Sequence, residues 1–434
     1  MPKKRVITAI DLGTEKCVTL IAVIDEESGE LKVVGVSAVP SKGMKRSVIV
    51  DLDKVLATIS QSLDAAERMA GFDIKSVHLS VSGTHVSSKN SKGVVAVAAP
   101  DQEITATDVE RVIEAARAIS LPADRKIMHV IPRDFKVDSQ EGIKDPVGMT
   151  GVRLESEAHI ITGMTTSLKN LEKVVNDLGL DVDGFVFAGL AASEVVLTET
   201  EKELGAIVVD MGAGTTSLSA FVDGALEYSG AVPVGARHIT QDIALGCRIS
   251  LDNAEKIKVL LSKEDFSKVK PIAGESKEEL TKRRKKADKL DLAKNGIHEG
   301  VEELSKRTLL EGIMVPRIKE IFGLIKKDIE KHELTGKVPA GIILCGGGAY
   351  TVGMVEIAKR VLGLPVRIGE PTKLQGLVSD IQGPAYSTSI GLLTYGKNKS
   401  SSPASGGNMG SILESIDFKG ISDKVKGLLK SILP

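Results

Sequence analysis

Hydrophobic positions along this chain follow two rhythms, one of strands and one of helices. Nearly continuous apolar runs at residues 6–10, 18–24 and 33–39 predict three opening strands. Apolar residues at helical spacing over 52–69 predict a helix, and 77–81 predicts a further strand. From about 84 to 161 the texture changes. Short strands are expected at 94–98, 128–131 and 159–161, around one helix at 106–119. Thr105 or Thr107 would cap that helix, with acidic residues in its first turn. This reads as a small α+β insertion in a larger α/β domain. Helical spacing returns at 168–178, followed by a strand at 185–187 and the small-residue run Ala188-Gly189-Leu190-Ala191-Ala192-Ser193. A second half opens with the apolar run 206–210, and strand and helix signals resume at 342–344 and 352–362.

Composition narrows the picture. At 434 residues the chain exceeds what one hydrophobic core usually supports, so two or more domains are expected. A net charge of -1 argues against general nucleic-acid binding, and 3% aromatics without Trp leave little to stack on bases or sugars. Cys17, Cys247 and Cys345 are odd in number and far apart, which suits packed, unbridged thiols in a reducing compartment. The N-terminus lacks the uncharged core of a secretory signal, and no stretch approaches the ~20 apolar residues that span a bilayer. The expectation is a cytosolic protein, or one lying on a membrane without crossing it. Residues 262–300 are highly charged around Lys282-Arg283-Arg284-Lys285-Lys286, which reads either as a solvated helix face or as a partner site. Residues 397–410 (KNKSSSPASGGNMG) have linker composition and are expected to be flexible.

The most informative feature is a repeated element. Ala9-Ile10-Asp11-Leu12-Gly13-Thr14 recurs about 200 residues later as Val209-Asp210-Met211-Gly212-Ala213-Gly214-Thr215-Thr216. Each places Asp at a strand end, then an apolar residue, Gly and, directly or within three residues, Thr. Gly212-Ala213-Gly214 resembles the opening of a dinucleotide fingerprint, but that motif requires a helix next. Leu218, Ala220 and Val222 instead alternate with Ser217, Ser219 and Phe221 at strand period, and 17–23 also reads as strand. Each element is therefore a β-hairpin with a glycine turn. Glycine lets backbone N–H groups approach an oxyanion, and adjacent Thr hydroxyls add donors. The Asp residues would face a metal-bound polyphosphate. One such hairpin alone would serve equally as an ordinary turn; two, one opening each half, point to phosphate binding. No G-x-x-x-x-G-K-[ST] motif occurs, which removes the Walker-type route to ATP. A third element, Gly341-Ile342-Ile343-Leu344-Cys345-Gly346-Gly347-Gly348-Ala349, is a buried strand ending in three glycines. It reads either as a tight strand-to-helix turn or as backbone on which a flat ring or ribose can lie.

Together, residues 11–14, 210–216 and 346–349 resemble the two phosphate motifs and the adenosine motif of the actin, sugar-kinase and heat-shock-chaperone ATPase superfamily. Within it the chain resembles the FtsA family of bacterial actin-like cell-division proteins from about residue 5 to 396. The resemblance includes His129-Val130-Ile131-Pro132, Gly142-Ile143-Lys144-Asp145-Pro146-Val147-Gly148, Leu197-Thr198-Glu199 with Glu203-Leu204-Gly205, and Tyr386-Ser387-Thr388-Ser389-Ile390-Gly391-Leu392-Leu393. It implies an α/β, actin-like fold of two related ribonuclease-H-like halves around a nucleotide cleft. The first half would take in 1–83 and 163–196, interrupted by an inserted subdomain at 84–162. The second half would be 197–396, with a smaller subdomain at 236–340.

The resemblance also implies roles. Asp11 and Asp210 would face Mg2+, mostly through water. Gly13, Thr14 and Lys16 would hold the β- and γ-phosphates of ATP from one side, and Gly212, Gly214, Thr215 and Thr216 from the other. Gly346, Gly347 and Gly348 would meet the adenosine. Glu255 and Lys258 match a helix that touches the ribose, although on their own they read as surface charges. Gly235, opening Gly235-Ala236-Arg237-His238, would sit near the γ-phosphate at a helix start. Ala188 falls where other actin relatives carry Glu or Gln to orient the attacking water, so firm ATP binding with slow hydrolysis is expected.

Beyond the linker, Phe418, Ile421, Val425, Leu428, Leu429, Ile432 and Leu433 share one helical face, with Lys419, Lys426 and Lys430 opposite beside Asp423, and Lys424 flanking. Residues 411–434 thus read as an interfacial membrane helix, each Lys adding about 1 kcal/mol on anionic lipid. Gly420 and Gly427 weaken it by ~1 kcal/mol apiece, so it would fold on binding. The other reading is a terminal helix docked on the protein's own core; the linker and the resemblance both favour the membrane. The resemblance further implies self-association into filaments, a tether to the C-terminal tail of the tubulin-like protein FtsZ through about 236–340, and contacts of the insert with other division proteins. It places the chain at the cytoplasmic face of the membrane at the division septum. A sugar kinase would need a catalytic Asp beside a sugar pocket and has no use for the insert or the tail. A pilus-assembly actin homologue would share fold and insert but not the terminal helix.

Overall fold

A computed structural model describes residues 5–25, 29–97, 103–263, 271–272, 275–299, 303–371, 374–377 and 381–401. The first half opens with strands β1 (Val6–Leu12), β2 (Lys16–Ile24) and β3 (Leu31–Pro40) and a short hairpin of β4 (Met44–Lys45) and β5 (Val48–Ile49). Helix α1 (Leu52–Ala70) and strand β6 (Ser76–Val81) follow. The inserted unit comprises β7 (Ser87–Ala96), α2 (Ala106–Arg117), β8 (Arg125–Val137), β9 (Gln140–Ile143) and β10 (Arg153–Met164). The chain returns with α3 (Thr165–Asn176), β11 (Asp181–Phe187) and α4 (Ala188–Val196). The second half runs through α5 (Glu199–Leu204), β12 (Ala206–Met211), β13 (Thr216–Val222), β14 (Ala225–Val232), α6 (Arg237–Cys247), α7 (Leu251–Lys263) and α8 (Lys277–Asp288). A ribbon of β15 (Lys289–Asp291) and β16 (Glu303–Ser305) leads through a π-helical turn, Thr308–Met314, into α9 (Val315–Lys331). Strand β17 (Gly341–Cys345), α10 (Met354–Leu362), β18 (Val366–Ile368), β19 (Gln375–Gly376) and α11 (Ser387–Ser401) complete it.

Two sheets repeat one design. In the first, β3, β2 and β1 form an antiparallel meander, beside which β6 and β11 run parallel. In the second, β14, β13 and β12 form the meander, and β17 and β18 run parallel. Late in the chain β19 crosses back to edge the first sheet along β3. The strands that read as continuous apolar runs are buried on both faces, as sheets covered on both sides must be. Along β1, Ile10 and Leu12 face a core under α1 and α3, whereas Ile7 and Ala9 face a second core. That second core is shared: Ala206 and Val208 of β12 enter it from the other sheet, with Ala191, Ala192 and Val195 of α4 and Leu392 and Leu393 of α11 between them. The small residues of α4 let these helices cross closely, and a Cβ at Gly391 would collide with the Ala191 carbonyl.

Local signals set the helix ends. Asp51 accepts the Lys54 amide at 3.1 Å to cap α1, which buries Val55, Ile59, Leu63 and Ala66 one turn apart. Thr105, rather than Thr107, caps α2 in a reciprocal box with Asp108. The insert is a four-stranded antiparallel sheet, ordered β7-β10-β8-β9, with α2 packed over it through Val112, Leu154 and Phe135. Its strands are far longer than the apolar runs predict. β7 begins Ser-Ser-Lys-Asn-Ser-Lys-Gly, with only Gly93 buried, so no apolar run marks most of it.

Helix α8, at the centre of the charged stretch, buries no residue and has a solvated face throughout. Helix α11 continues to Ser401, into the stretch whose composition predicts a linker. The rest of that linker and the amphipathic segment, with Phe418, Ile421, Val425, Leu428, Leu429, Ile432 and Leu433, lie outside the described residues. Among those described, no helix is long and apolar enough to cross a membrane.

Candidate functional site

Both glycine turns are hairpin connections of the same construction. β1 and β2 pair through Leu12 and Cys17, and the Gly13 amide donates to the Lys16 carbonyl at 3.0 Å. β12 and β13 pair through Met211 and Thr216, and the Gly212 amide donates to the Thr215 carbonyl at 3.0 Å. Each Asp sits one residue before the end of its first strand, in the same register. Because the two sheets repeat one design, both turns emerge at equivalent strand ends and face one cavity of about 300 Å3. That volume lies at the low end of small-molecule sites.

The carboxylates are held by hydroxyls distant in sequence. Asp11 Oδ1 accepts from Ser80 at 2.7 Å and Oδ2 from Ser389 at 3.0 Å, while Asp210 Oδ2 accepts from Thr388 at 3.0 Å. Burial, reinforced by the neighbouring Asp11 charge, pushes the Asp210 carboxyl up to about 7, against the Thr388 hydrogen bond and the Lys16 charge. Burial also lowers the Lys16 ammonium, while Asp11 and Asp210 raise it. Lys16 Nζ donates to the Ala385 carbonyl at 2.8 Å and lies 3.6 Å from the centre of the Tyr386 ring. Two coupled carboxylates facing a cavity, with one Lys between them in charge, are a site that gains from a cation.

The third glycine element closes the same cavity. Gly346, at φ +83, follows β17 in a left-handed conformation, and a Cβ there would collide with Asp210 Oδ1. Gly347 and Gly348 also line the cavity. Glu255 and Lys258 of α7 lie on its wall. Lys258 is buried, with Nζ donating to Glu255 Oε2 at 2.7 Å and to Thr240 Oγ1 at 3.0 Å, so it is no surface charge.

Of the residues singled out by motif, Asp11, Gly13, Thr14, Lys16, Asp210, Gly212, Gly214, Thr215, Glu255, Lys258 and Gly346 to Gly348 share this cavity, as does Ala188. Two do not line it. Thr216 is fully buried and turns its hydroxyl to the Val234 carbonyl at 2.8 Å. Gly235 is pressed against the Gly212 and Ala213 carbonyls, and its followers Ala236 and Arg237 donate their amides to those carbonyls at 2.9 and 3.0 Å. The start of α6 is thus spent on fixing the second turn.

Residues to which the motifs assign no role complete the wall, among them Glu15, Ser47, Ser82, Ser217, Arg237 and Thr388. The run Ser387-Thr388-Ser389 after Pro384, three hydroxyls at a helix start, was the available signal. Among the described residues, no group of three or more His, Cys, Asp or Glu side chains is placed to hold a metal. A cation here would have at most the two Asp as charged protein ligands.

Known proteins match this arrangement over most of its length. The family described as the SHS2 domain inserted in FtsA matches residues 83–162, and the family of cell division protein FtsA matches 207–391. The cell division protein FtsA of Pseudomonas aeruginosa is 36% identical over 397 residues, covering 92% of this chain and 90% of that one. That of Borreliella burgdorferi is 38% identical over 392 residues, covering 90% and 91%. Among solved structures, the PilM–PilN type IV pilus biogenesis complex aligns with a TM-score of 0.60 at 14% identity, covering 91% of this chain and 99% of that one. MreB5 of Spiroplasma citri bound to ADP aligns with a TM-score of 0.52 at 14% identity, covering 93% and 100%. The last two are likenesses of fold alone; the fold of this chain is actin-like, with an SHS2 domain inserted at residues 83–162.

Proposed function

The chain belongs to the FtsA family of cell-division proteins, and from that premise we propose that it binds ATP with Mg2+ in the cleft, polymerises, and tethers FtsZ filaments to the cytoplasmic membrane. The observation that carries the nucleotide reading is the pair of matched glycine turns facing one cavity beside the three glycines at 346–348. That MreB5, of like fold, was solved with ADP and with AMPPNP supports it.

In this reading Gly13, Thr14 and Lys16 bind the β- and γ-phosphates from one wall, and Gly212, Gly214 and Thr215 from the other. Gly346 to Gly348 leave a flat backbone for the adenosine, and Glu255 and Lys258 reach the ribose. Asp11 and Asp210 orient the water shell of Mg2+, which neutralises phosphate charge when bound. Holding one ligand from both halves favours the closed conformation, the one that polymerises. At the first-half wall Ala188 offers only a methyl group, which cannot orient an attacking water, so hydrolysis is slow. Residues 411–434 supply the membrane helix. The 236–340 region takes the FtsZ tail, and the inserted sheet recruits later division proteins.

Vesicle co-sedimentation tests the tether. Full-length chain with Mg-ATP should carry FtsZ down with anionic vesicles, and chain lacking 411–434 should leave FtsZ in the supernatant. Equal pelleting of FtsZ by both would sink the anchoring role.

A further inference from the structure

Of the hydroxyl-bearing wall residues that belong to neither glycine turn, Ser47 reaches the threonines of both. Ser47 sits with Arg46 at the tip of the β4–β5 hairpin, and its side chain lines the cavity. Its amide donates to Thr14 Oγ1 at 3.1 Å, and its hydroxyl lies 2.8 Å from Thr215 Oγ1. It therefore touches the threonine of both phosphate turns at once.

The tip is seated by design of its surroundings. A Cβ at Gly214 would come within 3.0 Å of Arg46 Cα and 2.8 Å of Thr14 Oγ1, and one at Gly83 within 3.3 Å of Ser47 Cβ. Two glycines thus open a notch for it. Arg46 and Ser47 both adopt positive φ, at 49° and 61°, as a type I′ turn requires. Such turns favour Asn-Gly or Gly-Gly, so a strained Arg-Ser tip is held by its surroundings at a place where its side chain has work to do.

We propose that Ser47 is a third phosphate-binding hydroxyl, which donates to the terminal phosphoryl group of a nucleoside triphosphate and so sets the preference for triphosphate over diphosphate. This rests on the nucleotide site proposed above. A phosphoryl oxygen lying between the two turns accepts the Ser47 O–H in place of Thr215 Oγ1, whose own hydroxyl is then free to donate to the same group. A diphosphate ends short of this point and makes no such bond.

The test is calorimetric titration of the full chain with Mg-ATP and with Mg-ADP, for wild type, Ser47→Ala and Ser47→Gly. Glycine removes the hydroxyl while relieving the positive φ, so its stability is safe where that of alanine is not. Both variants should bind Mg-ATP about tenfold more weakly, as for one hydrogen bond to a charged acceptor. Mg-ADP affinity should stay within twofold. Equal losses for both nucleotides, no loss for either, or a loss in Ser47→Ala alone would overturn the role of Ser47. Wild-type chain that binds neither nucleotide would overturn the site itself.

Discussion

The two glycine turns share a backbone and differ in what stands behind them. The first is polar and tied to distant hydroxyls: Asp11 is bonded by Ser80 and Ser389, and Lys16 reaches the Ala385 carbonyl. The second is packed. Its carbonyls take the first amides of α6, its Gly214 is overlain by the hairpin tip, and its Asp210 sits so deep that the carboxyl titrates near neutrality. Identical turns therefore carry different duties. The first brings a positive charge, Lys16, to the cavity wall, and the second is joined by hydrogen bonds to the start of α6.

Changes to the packed side should have the largest effect. Gly346→Val forces a side chain at φ +83 into Asp210, and nucleotide affinity should fall at least a hundredfold in equilibrium titration. Retained binding would mean that the third glycine turn is only a bend. On the polar side, Lys16→Ala leaves two coupled carboxylates without their cation and should weaken Mg-ATP binding roughly thirtyfold, about 2 kcal/mol. If the two turns were interchangeable in charge, that loss would be small.

The buried carboxylate sharpens the contrast through pH. Asp210 keeps a proton up to about 7 in the folded chain, against an ordinary value of 3.8, so between these limits the folded state holds more protons than the unfolded one. Its contribution to stability is complete below the lower value and is lost as pH rises through 7. Melting temperature should therefore drop by several degrees between pH 5 and pH 8, and Asp210→Asn should flatten that part of the profile. Mg2+ should restore stability more at pH 8 than at pH 5. The smallest effect is expected where the two walls meet in solvent. The Arg237–Glu15 pair at 3.0 Å is substantially exposed, so Arg237→Ala should cost less than about 1 kcal/mol in denaturant unfolding.

The repeated hairpins were legible because their strands are buried on both faces and so are written as apolar runs, with Asp and Gly marking each end. The insert was legible as a change of texture, but not in the length of its strands. β7 pairs with β10 over its whole course while carrying Ser, Lys and Asn: Gly93 and Val95 pack against α2, and on the other face Ser88 and Asn90 hydrogen-bond to β14. Within the site, the glycines and carboxylates were readable and the supporting hydroxyls were not. Ser80, Thr388 and Ser389 look like filler in a strand and at a helix start until the fold brings positions 11, 80 and 389 together. Thr216 and Gly235 lie just behind the cavity wall rather than on it. The resemblance assigns both to the phosphates; in the fold the Thr216 hydroxyl is given to the Val234 carbonyl and Gly235 packs against the second turn.

The most direct measurement is a crystal structure of the full chain with Mg2+ and a non-hydrolysable ATP analogue. One triphosphate should lie between the Gly13 and Gly212 turns, with its base against residues 346–348. An analogue bound elsewhere with that cleft empty would contradict the account.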